Sequence, residues 1–405
     1  MKKASIESIP VMFALLVFSC TGPTSPIPSF DSEPEEEPGA RMVADIRAGS
    51  VGSSPSNLTA YGDGLYFSAN DGTYGNELWR YDGMNVSRIT DLRTGGGSSS
   101  PGFLTVYGPN LYFAADYDGG IYTGLFRYSG GGEAVRIPGI EFAGHLTVSG
   151  ETLYLRAYDA EHGVELWRYD GTMAARLTDI NPGASHSNPS FITEYANRLY
   201  FSADDGTSGA ELWRYDGAVT SQVADINSGG ANGFPSRLIV YDGELYFRAT
   251  DGTSGFELWR YDGSAVERVT DLHPGSGTGI QNADMVVYDG NLYFAGTDGS
   301  SGWELYRYDG FSVSRVADLN PGSNHGMFNP AQMAVYNGAL YFSGNDGTTG
   351  VELYRYDGTT VALAAEINPT GDSNPSNLVV WNEALYFQAD DGVHGPELWS
   401  FLASQ

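Results

Sequence analysis

The side chains best able to do chemistry in this chain are carboxylates, and they come at a fixed spacing. Asp205 lies six residues before Glu211 and Asp251 six before Glu257, within the phrase DGTSGxELW. The same pairing recurs at Asp71, Asp298, Asp346 and Asp391 with Glu77, Glu304, Glu352 and Glu397. Two carboxylates with nearby carbonyls could hold Ca²⁺ through oxygen. An Asp before Gly can equally be a turn former that bonds its own backbone. The residue before ELW or ELY is a large aromatic in two neighbouring repeats, Phe256 and Trp303. Such rings could grip a sugar or peptide, or fill gaps between sheets. The six histidines fall in loop segments. His162, His273 and His325 are candidate ligand contacts, although none shows the HxH or HExxH spacing of a metal site. There is no GxSxG elbow and no GxxxxGK[ST] phosphate loop, and the one cysteine, Cys20, lies in the leader. These features describe a binding module, not an enzyme. The alternatives are a quinoprotein or hydrolase using an acidic central funnel, or a purely structural scaffold.

The elements that must position these residues are set by a repeat. An LYF-type triplet starts at Leu65, Leu111, Leu153, Leu199, Leu245, Leu292, Leu340 and Leu385, every 42 to 48 residues. Each of the eight units holds four short strand-like runs. In the fifth they are SRLIVY (236–241), ELYFRA (244–249), FELWRY (256–261) and AVERVTDL (265–272). Asp242-Gly243 and Asp262-Gly263 suit two-residue primed turns with positive φ at both positions. Three hairpins followed by one long connection describe a propeller blade. No i, i+3, i+4, i+7 stripe appears, so helix content should be very low. The last unit lacks a fourth run, and MVADIRAGS (42–50) supplies a matching one at the other end. The expectation is therefore an all-β, eight-bladed β-propeller of four antiparallel strands per blade. Residues 42–47 would pair with the final LWSF run and remove an open sheet edge.

Strand direction places the tight Asp-Gly turns on one face, the bottom. The DGTSG loops and long DLNPGS-type connections share the top, where any individual recognition is expected. Trp79, Trp167, Trp213, Trp259 and Trp399 read as core. The recurring Arg80 to Arg355 series reads as a scaffold device pairing with acids of its own unit.

The literal ELWRYDG resembles the repeat of bacterial secreted proteins with ELWxxDGT units. IVYDGELYFRATDGTSGFELWRYDG is similar to the kelch repeat, without the kelch glycine doublet and without the usual Trp of the fourth strand. These resemblances imply the fold and strand order, and no particular partner. ADDGTSGAELW (203–213) matches the spacing of the tryptophan-docking motif of pyrroloquinoline-quinone enzymes, which also use a vicinal cysteine pair that a chain with one cysteine cannot supply.

The leader and charge give an address. Lys2 and Lys3 precede an apolar run that ends at Ser19-Cys20. This resembles a bacterial lipoprotein signal over 1–19 with Cys20 lipidated, and multiple acyl chains would anchor the protein stably. Residues 20–40, rich in Pro and Glu, read as a disordered tether, and 41–405 as the propeller. The expected location is the bacterial cell envelope, at the outer membrane or cell surface, with membrane contact only through the anchor. With 50 acidic against 21 basic residues the net charge is −29, which repels DNA and RNA and excludes nucleic acid as a partner. The chain reads as a monomer that binds an extracellular glycan, peptide or protein. No cofactor is required, with Ca²⁺ held open.

Overall fold

Alternating apolar residues bounded by glycine turns produce strands throughout. The computed structural model describes residues 37–404 except 118, 120, 121 and 328–331, and every regular element among them is a strand. The leader, Cys20 and nearly all of the expected tether lie outside the described residues. From Pro38 onward the chain is one compact unit.

The strands form antiparallel sheets, six of four strands and one of seven. The fifth unit is typical: Ser236–Tyr241, Glu244–Ala249, Glu257–Tyr261 and Val266–Arg268 pair in sequence order. This is the strand order of a β-propeller blade. First strands lie against one another from unit to unit: Ser56–Tyr61 adjoins both Gly102–Tyr107 and Ser376–Trp381. The seven-stranded sheet departs from expectation. Its strand Val135–Ser149 pairs with Tyr122–Tyr128 on one side and Thr152–Asp159 on the other. The connection at 138–144 is too short for the loop that elsewhere separates units, so the outer strand of the second unit runs on as the first strand of the third. It bends at Gly139, where φ is 77°.

The amino-terminal segment fills the vacant edge of the last sheet. Gly39–Ala44 pairs antiparallel with Pro396–Leu402, Met42 lying opposite Trp399. The pairing is centred three residues earlier than the expected 42–47. Ile46 and Arg47 instead donate their backbone N–H groups to the Glu397 carboxylate, both at 3.1 Å.

The core lies between sheets. Leu65, Phe67 and Ala69 of the first unit pack with Tyr386 and Leu398 of the eighth, and Tyr66 and Leu78 pack with Leu111 and Phe113 of the second. Each buried Leu or Phe contributes roughly 1.5–3 kcal/mol of transfer free energy. Tyrosine hydroxyls tie neighbouring units: Tyr61 donates to Pro109 O (2.7 Å) and Tyr288 to Gly338 O (2.8 Å).

The two Asp-Gly turns differ. Asp242 and Gly243 both have positive φ (48° and 78°), as a primed turn requires. At Asp262-Gly263 only the glycine does. There the Asp262 carboxylate accepts the N–H groups of Ser264 (2.7 Å) and Ala265 (2.8 Å), so the expected two-residue turn is a longer loop closed by its own aspartate.

Candidate ligand-binding site

The site is built on a repeated irregularity in the first strands. In the first unit Ser56 pairs with Ser68 and Thr59 with Tyr66, leaving Asn57 and Leu58 opposite one residue. The same bulge recurs at Phe103, His145, Phe191, Arg237 and Asn377. All six bulged residues sit in the left-handed region, at φ 56°, 53°, 49°, 54°, 55° and 58° in chain order. None is glycine, and holding a phenylalanine there costs on the order of 1–3 kcal/mol. A bulge turns a side chain out of the alternation of its strand.

The residues turned out in this way touch one another from unit to unit. The Asn57 N–H donates to Asn377 Oδ1 (3.2 Å), and Asn57 Nδ2 donates to Pro101 O (3.4 Å). The rings of Phe103 and His145 are 5.0 Å apart, and those of His145 and Phe191 5.6 Å. The Phe191 N–H donates to His145 Nδ1 (3.3 Å), and the Arg237 guanidinium lies 5.6 Å from the Phe191 ring centre. Arg237 then reaches Asn282 and Asp284 of the sixth unit at 3.2 and 2.6 Å. The Asn377 N–H donates to Gln332. A repetitive scaffold thus carries a non-repetitive row of Asn, Phe, His, Phe, Arg, Asp, Gln and Asn where the first strands meet.

Three adjoining cavities open along this row. One of about 240 Å³ is lined by Phe103, His145, Phe191, Arg237 and Asp284 among others. A second, about 220 Å³, shares Phe191 and adds Phe234, Arg248 and Phe256. The largest, about 450 Å³, shares Arg248 and Asn282 with it and is closed by Gln281, Trp303, His325 and Met327. It lies where the sixth and seventh units lack the bulge, their first strands being cut to Val286–Tyr288 and Met333–Tyr336. Phe234 and Phe103 remain 48% and 41% exposed, large rings left facing solvent. A separate cavity of about 410 Å³ lies among the tight turns at the opposite strand ends.

Arginines, and few acids, stand along the row. Arg237 and Arg248 line the cavities, and Arg156 lies near His145. Only Arg237 has a carboxylate partner, Asp284, and among the described residues no acid forms an ion pair with Arg156 or Arg248. Arg248 instead donates from Nε to Ile280 O (3.0 Å) and stacks 3.5 Å from the Phe256 ring centre. Burial, with Arg237 close by, lowers its pKa to about 10. Burial, then the charges of Arg156 and Arg237, push His145 down to about 4, so its ring is neutral at physiological pH.

The structure brings some of the anticipated residues together and separates others. Phe256, Trp303 and His325 border these cavities, and His325 Nδ1 also accepts the Trp303 N–H (3.1 Å). His162 is paired with Asp159 of its own loop (2.9 Å). His273 packs against Gly277 of its own connection and Gly299 of the loop in the next unit. The four carboxylates considered for calcium face backbone donors. Asp205 accepts from Thr207 and Ser208, and Asp251 from Thr253 and Ser254. Glu211 and Glu257 are fully buried and accept N–H groups of the connection to the next unit. Among the described residues no cluster of three His, Cys, Asp or Glu is placed to hold a metal. The recurring arginine pairs within its own unit at Arg80–Asp63 and Arg260–Glu244.

No protein-family model and no curated protein matches this chain. Solved structures do. One of two prolyl endopeptidases aligns over 85% of this chain and 55% of its own, at 12% identity and TM-score 0.54. The GH74 xyloglucanase of Xanthomonas campestris aligns over 87% of this chain and 59% of its own, at 17% identity and TM-score 0.50. Sqt1 of Saccharomyces cerevisiae aligns over 88% and 98%, at 12% identity and TM-score 0.53. At these identities the likeness is one of fold. It nevertheless corrects the expectation that the chain is not an enzyme, because peptidases and a glycoside hydrolase carry this architecture. The chain spans little more than half the length of those enzymes, and no reaction carries over.

Proposed function

We propose that the protein is a glycan-binding module of the bacterial cell envelope, tethered through Cys20 and binding where the first strands meet. The observation that carries this reading is the set of rings, Phe191, Phe234, Phe256 and Trp303, that border joined cavities on one face. Flat aromatic faces beside polar groups suit the alternating apolar and hydroxyl faces of a pyranose. The reading includes eight blades, the second and third fused through Val135–Ser149, in a ring closed by Gly39–Ala44. The contact between Asn57 and Asn377, and the packing of the first unit on the eighth, support closure. Screening the purified protein on a glycan array tests the function. Binding to a defined subset is expected, reduced at least tenfold in a Phe234→Ala/Trp303→Ala variant that keeps its melting temperature. Absence of any glycan bound above background would overturn the reading. Replacing Cys20 with Ser should release the protein from the membrane fraction.

A further inference from the structure

Resting on that reading, we propose that the preferred glycan is acidic, and that Arg248 receives a sugar carboxylate at the junction of the two larger cavities.

A chain with 50 acids and 21 bases has little positive charge to place, yet Arg237 and Arg248 line these cavities and Arg156 lies near His145 at their edge, with Asp284 the one carboxylate ion-paired to any of the three among the described residues. The surrounding negative charge would repel an anion approaching any other part of the surface. Arg237 is already engaged by Asp284 and Asn282, which leaves its charge answered. Arg248 is different. Its Nε is taken by Ile280 O and its plane is fixed on Phe256, while its side chain lines both cavities. A desolvated guanidinium held flat, with its terminal nitrogens unpaired by any described acid, presents the fork that a carboxylate matches with two parallel hydrogen bonds. Leaving such a half-buried cation without a carboxylate is unfavourable, and an entering anion relieves part of that cost.

Geometry selects a sugar acid over a small free anion. Phe234 and Phe256, ring centres 6.4 Å apart, flank Arg248 on one side and Trp303 on the other, so one group can meet the guanidinium while adjoining rings stack on either side. Volumes of about 220 and 450 Å³ joined at Arg248 accommodate a short chain of residues. The amides of Gln281 and Asn282 supply hydroxyl partners.

The test is calorimetric titration of the full-length protein with three hexamers: an oligogalacturonate, a neutral gluco-oligosaccharide and a sulfated galacto-oligosaccharide. The galacturonate is expected to bind most tightly, with affinity falling as salt rises. Arg248→Gln should weaken it about tenfold or more and leave residual neutral binding unchanged. Arg248→Lys, which keeps a cation but loses the fork, should fall between, and it serves if the glutamine variant does not fold. Arg80→Gln, remote from the site, should bind as wild type. Equal binding of neutral and uronate hexamers, unmoved by Arg248→Gln, would overturn the acidic preference and leave the glycan reading standing. Tighter binding of the sulfated hexamer would overturn the carboxylate. Binding of none would overturn both.

Discussion

Buried glutamates hold each unit to the next. Glu211 accepts the N–H groups of Ile226 and Gly233, both at 2.7 Å, and Glu304 those of Leu319 and Gly326, both at 2.9 Å. Burial pushes both carboxyls up to about 7 against the pull of these donors. The folded protein therefore binds more protons than the unfolded chain between the ordinary glutamate range and pH 7, so stability falls as pH rises through that window. His145, held near 4, acts in the opposite direction, losing stability as pH falls from 6.5 towards 4. Five glutamates are raised against one lowered histidine, so the unfolding midpoint should be higher at pH 5 than at pH 7.5. Glu211→Gln should lower the midpoint and flatten its pH slope; an unchanged slope would show that this carboxyl does not titrate on folding. Glycine at 279 is required by close approach, since a Cβ there would lie 2.2 Å from Glu257 Oε1. Gly279→Ala should cost about 2–3 kcal/mol in denaturant titration.

At the scale of elements, the amino-terminal strand covers the edge beside Trp399 and brings two donors to Glu397. Deleting residues 38–47 should lower the melting midpoint by more than 10 °C, or yield aggregates on size exclusion, because a full strand edge is uncovered. An unaltered midpoint would mean that the strand is dispensable. Strand order and the amino-terminal pairing were legible in the sequence because period-two patterning and Gly-bounded turns are local signals. The shortened connection PGIEFAG (138–144) stands out in the sequence, but nothing local says that it would fuse two sheets through Val135–Ser149. Phe256 and Trp303 stood out as the odd residues before ELW and ELY. The bulged row was also visible in principle: in SNL, GFL, GHL, SFI and SRL the middle residue changes while its neighbours hold. Its importance depends on a backbone twist that residue types alone do not announce, so that nothing in the sequence singles out Phe103 or Phe191.

For the molecule as a whole, charge sets the terms. A body at −29 repels itself, and screening should relieve the strain. The melting midpoint should rise by several degrees between 0.05 and 1 M NaCl, while oligogalacturonate binding weakens over the same range. A midpoint that fell with salt would show ion pairs outweighing repulsion. The bulges carry one further implication. Because the kink is made by the main chain and the next pair of the ladder holds a tyrosine in all six copies, the residue standing on it can be exchanged with little disturbance to what lies behind. Six such posts form a combination lock cut into a standard barrel, and under the proposed function selectivity would be rewritten one tumbler at a time.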